Sequence, residues 1–367
     1  MNIAFVLLTH NPNEPAGIER SIASLAEGLR QGGHRALIVA AGPATAADDP
    51  DLLRLTTLTL PRPAVEDDLL ALLADPCPVE AEVRRLLIDH RVDLVCWVDA
   101  VWGLGYLSPA PSGVRTSLMV HVLRTDAPMT TSLAHRPDTV LTVSDFMIEE
   151  AARQGLDSSS WQALPNALLH HTAPPTAAER EELRAHGPVR IVARAEPHKG
   201  TAELLKAMPA GLGRRLEIVL AAAGFEYWPG MQDQVIDECR RLAAERPDVA
   251  LLAALPWQDV PPFLAGAAVV VVGSTSPETF GNVAAEALSV ATPVVGYGLG
   301  HLPALTGEAG RMTDLDQGPE QLWAAVTRLL GDLDAYHAAS QAGPAQVAAH
   351  SPRVVAETFL GLTRALP

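Results

Sequence analysis

Two doubly wound α/β domains, each a parallel sheet wrapped by helices and the two facing across a cleft, are the fold class that the sequence predicts. Three observations carry this expectation. Short apolar runs of strand length alternate with amphipathic segments of helical period, as βαβ units require. The alternation stops at His170 to Ala178, a stretch rich in Pro, Ala and Thr, and then restarts. Finally, 367 residues of which 48% are hydrophobic suffice for two cores of ordinary size.

The elements follow in order. Asn2 to Leu8 reads as a buried strand, and Gly17 to Gln31 as a helix with Ile18, Ile22, Leu25 and Leu29 on one stripe. Gly32-Gly33 ends that helix, and Arg35 to Ala40 supplies the second strand of a βαβ unit with a right-handed crossover. A helix over Val79 to His90, strands at Leu94 to Val98, Ser117 to Val122 and Thr139 to Val143, and a helix at Asp145 to Gln154 complete the first domain. Its range is 1–170. After the linker come strand Val189 to Ala193, helix Thr201 to Ala207, strand Leu216 to Ala221, helix Gln232 to Ala244 and strand Val249 to Ala253. Helix Trp257 to Leu264, strand Ala268 to Val272, helix Asn282 to Ser289 and strand Pro293 to Val295 follow. This second domain spans 171–351, and a last helix over about 352–367 is expected to pack back on the first.

Composition narrows the function. The formal charge of −16 and the lack of any Lys/Arg cluster argue against a nucleic-acid or anionic-membrane surface, since neutralising phosphates requires clustered cations. Cys77, Cys96 and Cys239 are too few and too scattered for a disulfide framework or a zinc site, which fits a reducing interior. Met1 to Leu8 is apolar but has no basic n-region and breaks at His10-Asn11-Pro12, so it reads as a first strand and not as a signal peptide. No apolar run is long enough to span a bilayer, and a cytoplasmic protein is expected.

Ligands of open α/β sheets bind beyond the carboxyl ends of the strands. Two loops at such ends carry chemistry. In Arg194-Ala195-Glu196-Pro197-His198-Lys199-Gly200 the planar fork of Arg194 and the point charge of Lys199 suit the two phosphates of a diphosphate. Lys199 and Lys206 are the only lysines of the chain, so Lys199 is set apart from the arginines that otherwise supply positive charge. In Pro277-Glu278-Thr279-Phe280-Gly281-Asn282-Val283-Ala284-Ala285-Glu286, two carboxylates flank a helix N-terminus that favours phosphate. Glutamates there would repel phosphate and instead accept hydrogen bonds from hydroxyls. Phosphate donors beside hydroxyl acceptors describe a site for a nucleotide sugar.

These two segments resemble the paired signatures of the retaining glycosyltransferases of family 4, the glycosyltransferase group 1 enzymes of GT-B fold. The resemblance extends to Gly17-Ile18-Glu19-Arg20, Gly33-His34-Arg35, Val143-Ser144, Pro165-Asn166 and Thr292-Pro293-Val294-Val295. It implies that Arg194 and Lys199 hold the donor diphosphate, that Glu286 binds the ribose hydroxyls and that Glu278 lies near hydroxyls of the transferred sugar. It further implies that the amides of Phe280, Gly281, Asn282 and Val283 contact sugar and phosphate, that Gly17 lets a loop approach the diphosphate, and that His121 contacts the donor sugar. Asp99 and Asp126, beyond strand ends of the first domain, are candidates for binding or deprotonating the acceptor. The chain departs from the family pattern at Thr279, at Pro15-Ala16 and at Ala167, where glycines are usual, and these changes bear on the shape of the sugar pocket.

The implied reaction moves a sugar from a nucleoside-diphosphate donor, the substrate, with no cofactor. No Asp-x-Asp motif stands at a strand end, so cations of the protein are expected to replace a metal. Retention by double displacement needs a carboxylate nucleophile; Glu278 is kept near ring hydroxyls by the family geometry, which favours front-face substitution. A first domain without lysine favours a small soluble acceptor, and related enzymes act in natural-product, antibiotic or small-thiol biosynthesis. A GT-B-shaped nucleotide-sugar epimerase and a non-catalytic nucleotide-sugar-binding protein remain alternatives. A nicotinamide enzyme is disfavoured, because Leu8-Thr9-His10-Asn11-Pro12 stands where Gly-x-Gly-x-x-Gly would be needed.

Overall fold

The computed structural model describes residues 1–11, 16–42, 49–99, 110–168 and 172–364. They form two units: residues 1–11, 16–168 and 350–364 in the first, and 172–349 in the second.

The first unit holds strands β1 (Asn2–Thr9), β2 (Arg35–Ala41), β3 (Leu52–Arg54), β4 (Leu94–Val98), β5 (Arg115–Val120), β6 (Thr139–Thr142) and β7 (Gln162–Ala163). They form one parallel sheet in the order β3-β2-β1-β4-β5-β6-β7. Phe5 of β1 is in register with Ile38 of β2 and Cys96 of β4. Interior strands such as Ile3 to Leu8 are buried on both faces, which is why they read as continuous apolar runs and not as alternating ones. The helix Gly17–Gln31 crosses from β1 to β2 and buries Ile22, Leu25, Ala26 and Leu29. Helix Pro352–Thr363 belongs to the same core through Val355, Ala356, Phe359 and Leu360, and the Phe359 ring lies 5.6 Å from that of Phe5.

The second unit holds β8 (Val189–Arg194), β9 (Leu216–Ala221), β10 (Val249–Leu252), β11 (Val269–Val272), β12 (Val294–Tyr297) and β13 (Gly310–Thr313), parallel in the order β10-β9-β8-β11-β12-β13. Its core is aliphatic around Val189, Ile191, Val269, Val271 and Val295, closed by Trp323 and Tyr336 of helices Gly318–Gly331 and Leu333–Gln346. The Trp323 indole donates to the Leu204 carbonyl at 2.9 Å and the Tyr336 hydroxyl to that of Ala268 at 2.8 Å, so neither buried polar tip is orphaned.

The structure adds helices that the element reading lacks, among them Ala127–Ala134, Gly318–Gly331 and Leu333–Gln346, and amends that reading elsewhere. The segment His170 to Ala178 is not irregular to its end: residues 170 and 171 lie outside the described residues, and a helix starts at Ala177. Thr176 and Glu179 form its capping box, the signal that the Pro- and Ala-rich composition masks. The strand expected to reach Val122 ends at Val120, and the helix expected over Trp257 to Leu264 is a 3₁₀ turn, Trp257–Asp259, followed by an α-helix, Val260–Ala265. The strands with no counterpart in the sequence reading, β3, β7 and β13, all lie at sheet edges. Edge strands are short and escape two-sided burial, so no continuous apolar run marks them. Among the described residues, no helix is long and apolar enough to cross a membrane.

Candidate functional site

In the second unit the strand order reverses between β8 and β11. Such a switch point opens a crevice at the carboxyl ends of the two strands. Arg194 is the last residue of β8, and the loop after β11 carries Ser274 and Glu278. Backbone fit at this crevice is close. Gly200 has φ +67°, and a Cβ there would stand 2.2 Å from the Gly273 carbonyl oxygen, so the two loops touch main chain to main chain only because of glycine. Their contact is completed where the amide of Thr275 donates to the His198 carbonyl at 2.8 Å.

Each cation of the pair is engaged by a carboxylate. Lys199 Nζ donates to Glu278 Oε1 at 2.7 Å, and the Ser274 hydroxyl donates to the same oxygen. Burial pushes the Glu278 carboxyl up, but the Lys199 ammonium and the Ser274 hydroxyl outweigh it and hold the group below its ordinary value. Arg194 Nη1 lies 3.0 Å from Glu196 Oε1, and His198 Nε2 lies 3.3 Å from Glu196 Oε2. Glu196 is buried, whereas the Arg194 side chain is 40% exposed, so a buried anion anchors a guanidinium whose remaining donors reach outward. Desolvation and the neighbouring Lys199 lower the His198 imidazole, with Glu196 opposing them.

Helix Asn282–Ser289 starts at Gly281, whose φ of +99° makes it a left-handed N-cap. The first-turn amides of Asn282 and Val283 therefore point off the helix end, where the dipole favours an anion. Phe280 is buried and its ring stacks on that of His301 at 5.9 Å. The Glu278 carbonyl accepts from the His301 amide at 2.8 Å, and Gly300 approaches the Glu278 backbone so closely that a Cβ would stand 2.3 Å from that carbonyl oxygen. Glu286 is a buried carboxylate in the second turn of the helix.

Four sequence candidates lie in the first unit. Gly17 opens the helix after β1, and the Glu19 carboxylate of that helix holds the end of β1, accepting from the Thr9 hydroxyl and the Asn11 amide at 2.5 Å each. His121 follows β5 directly and is buried; desolvation lowers its imidazole to about 4, so it is neutral at neutral pH. Asp99 follows β4 with φ +75°, fully buried, and its carboxylate accepts from the Val122 amide at 3.1 Å. It thus joins the ends of β4 and β5 through the chain. Asp126 accepts from Arg124 Nε at 2.8 Å, and Arg124 also binds both oxygens of Glu66, an ion cluster that fixes the start of helix Ala127–Ala134.

The sequence reading therefore finds Arg194, Lys199 and Glu278 together, but it overlooks the groups that orient them. Glu196 and Ser274 sit inside the quoted segments or beside them without any pattern of their own. Only their burial singles them out.

Comparison with known proteins places this geometry. The family described as Glycosyltransferase Family 4 matches residues 15–168, and that described as Glycosyl transferases group 1 matches residues 189–332. A D-inositol 3-phosphate glycosyltransferase of Segniliparus rotundus is 29% identical over 194 residues, 52% of this chain and 43% of that protein, so the match spans less than half of the relative's length. Among solved structures, sucrose-phosphate synthase of Thermosynechococcus elongatus superposes with a TM-score of 0.77 at 19% identity, covering 99% of this chain and 98% of the other. Anabaena HepE, solved with UDP and glucose, gives 0.72 at 17% identity over 98% of each chain. AviGT4, a glycosyltransferase involved in avilamycin A biosynthesis, gives 0.64 at 21% identity over 99% and 97%. With a family match along each unit and a fold shared from end to end, the chain belongs to the group 1, family 4 glycosyltransferases and has their GT-B architecture.

Proposed function

We propose that the protein transfers a sugar from a nucleoside-diphosphate donor to a small soluble acceptor with retention of anomeric configuration and without a metal. The observation that carries this reading is the pairing of Lys199 with Glu278 at the β8/β11 switch point, with the guanidinium of Arg194 anchored by Glu196 in the same loop. Departure of the diphosphate develops negative charge, and preorganised donors are the largest single source of stabilisation for such charge. Arg194, Lys199 and the amides at the start of helix Asn282–Ser289 supply those donors, and a metal has no further role to fill. Glu278, tied to Lys199 and Ser274, acts as a positioning group for sugar hydroxyls and not as a nucleophile. The bond from the anomeric carbon to the phosphate oxygen breaks, the bond to the acceptor oxygen forms on the same face, and the acceptor proton passes to the leaving phosphate oxygen. His121 adds a neutral imidazole for the donor sugar, and Glu286 a carboxylate for the ribose.

The presence of UDP in the HepE structure and the name of the Segniliparus relative support a nucleotide-sugar donor and a small acceptor. The involvement of AviGT4 in avilamycin biosynthesis supports a natural-product role. A thermal-shift screen with UDP, GDP, ADP and dTDP tests the donor site. The cognate diphosphate at one hundred times its Kd should stabilise the fold by about 2.7 kcal/mol, and Glu286→Ala should raise the donor KM roughly ten-fold or more, the worth of a hydrogen bond to a charged group. If none of the four stabilises the protein, the reading is wrong.

A further inference from the structure

The loop between β9 and helix Met231–Ala244 carries two large aromatic side chains in the open: Tyr227 is 63% exposed and Trp228 46%. In a chain with only 4% aromatic residues, adjacent exposed rings beside a ligand crevice call for a physical reason. The loop is not loosely held. Glu226 and Gln232, both buried, lock its backbone: Glu226 accepts from the amides of Gly230 at 2.7 Å and Gln232 at 3.3 Å. The Gln232 side-chain amide donates to the carbonyls of Ala223 at 3.0 Å and Phe225 at 3.3 Å, and its oxygen accepts from the Ala223 amide. Two buried polar side chains are thus spent on fixing a loop whose apolar groups face water.

The placement of the loop indicates its ligand. The Tyr227 ring packs on the His198 ring at 5.8 Å, and His198 is joined to Glu196 and adjoins Lys199. The strand order is β9-β8-β11, so this loop and the Glu278 loop leave the sheet on opposite sides of β8, whose end carries Arg194. A donor whose phosphates lie on Arg194 and Lys199 and whose transferred sugar lies toward Glu278 leaves the β9 side of β8, where Tyr227 and Trp228 stand, for the nucleobase at its other end.

We propose that Tyr227 and Trp228 form the stacking platform for the nucleobase of the donor, an inference that rests on the nucleotide-sugar reading above. Every base has a flat π-face, and a rigid aromatic surface gains affinity from it without lost side-chain or loop entropy. The test is isothermal titration of the wild type and of Y227A/W228A with UDP, GDP, ADP and dTDP, and with inorganic pyrophosphate. The nucleoside diphosphate that the wild type binds should bind the double variant about ten-fold more weakly, while pyrophosphate affinity and the ligand-free melting temperature stay unchanged. Nucleotide binding should also quench tryptophan emission in the wild type, and W228F should abolish the quench. Unchanged nucleoside-diphosphate affinity in the double variant, an equal loss for pyrophosphate, or a quench that survives W228F would each overturn the platform. Failure of the wild type to bind any of the four nucleotides is a different result, because it removes the nucleotide-sugar reading itself.

Discussion

The ammonium of Lys199 and the carboxylate of Glu278 are 2.7 Å apart in a partly buried pair, so neither can be altered without exposing the other to an uncompensated environment. Lys199→Ala removes the partner of Glu278 and, on the proposed mechanism, a cation for the leaving group. Its expected effect is a loss of about 10²–10³ in kcat, as for removal of one preorganised donor, measured by steady-state kinetics with saturating donor. A kcat within three-fold of the wild type would show that the charge of Lys199 is not used in the chemical step. His121 yields a pH prediction. Its folded-state imidazole is depressed to about 4 from an ordinary 6.5 by burial, so the unfolded chain takes up a proton first as pH falls. Stability is therefore lost from pH 6.5 down to about 4, by on the order of 3 kcal/mol in all. Glu278, depressed in the folded state, adds a loss that begins as pH falls through its ordinary value of 4.5 and continues until its folded form is protonated. Urea denaturation of His121→Asn against the wild type at pH 7 and pH 4.5 checks the histidine contribution: the variant should show the smaller drop.

At the scale of elements, helix Pro352–Thr363 docks on helix Gly17–Gln31 through a glycine. A Cβ on Gly28 would lie 2.0 Å from the Pro352 carbonyl oxygen. Replacing glycine by alanine in a helix normally gains up to about 1 kcal/mol in propensity, but here the methyl group meets backbone that cannot turn aside. Overpacking of this kind costs about 1–3 kcal/mol, and the clash should win. Gly28→Ala is thus expected to lower the melting temperature and to expose the C-terminal helix to limited proteolysis; a variant as stable and as resistant as the wild type would show that the helix docks by other contacts. A second element is held by a buried arginine. Arg180 of helix Ala177–His186 pairs with no carboxylate among the described residues and donates to the carbonyls of Ala267, Val290 and Ala265 and to the Thr292 hydroxyl, so it sews that helix to the segments that enter β11 and β12. An arginine among helical residues reads in the sequence as solvated charge, and only the fold reveals that its donors face backbone.

For the molecule as a whole, charge sets the boundary of what it meets. A net charge of −16 opposes binding to anionic lipid, to which each basic residue near the membrane contributes only about 1 kcal/mol. Co-sedimentation with phosphatidylserine vesicles at low ionic strength should leave the protein in the supernatant, and substantial recovery with the vesicles would contradict a soluble acceptor.

The sequence by itself determined the two doubly wound units, because interior parallel strands are buried on both faces and that burial is written as uninterrupted apolar runs. It also brought forward Arg194, Lys199, Glu278 and Glu286 as candidates, because they stand in loops and a helix that follow strand ends. Tertiary structure alone decided which carboxylate engages which cation. Glu196 and Glu278 are both glutamates within a loop, and nothing local says that the first anchors Arg194 while the second binds Lys199. Long-range packing also decided the edge strands β3, β7 and β13 and the main-chain contact of Gly200 with Gly273. These features depend on partners distant in sequence, and the free energy that fixes them comes from burial that no local pattern records.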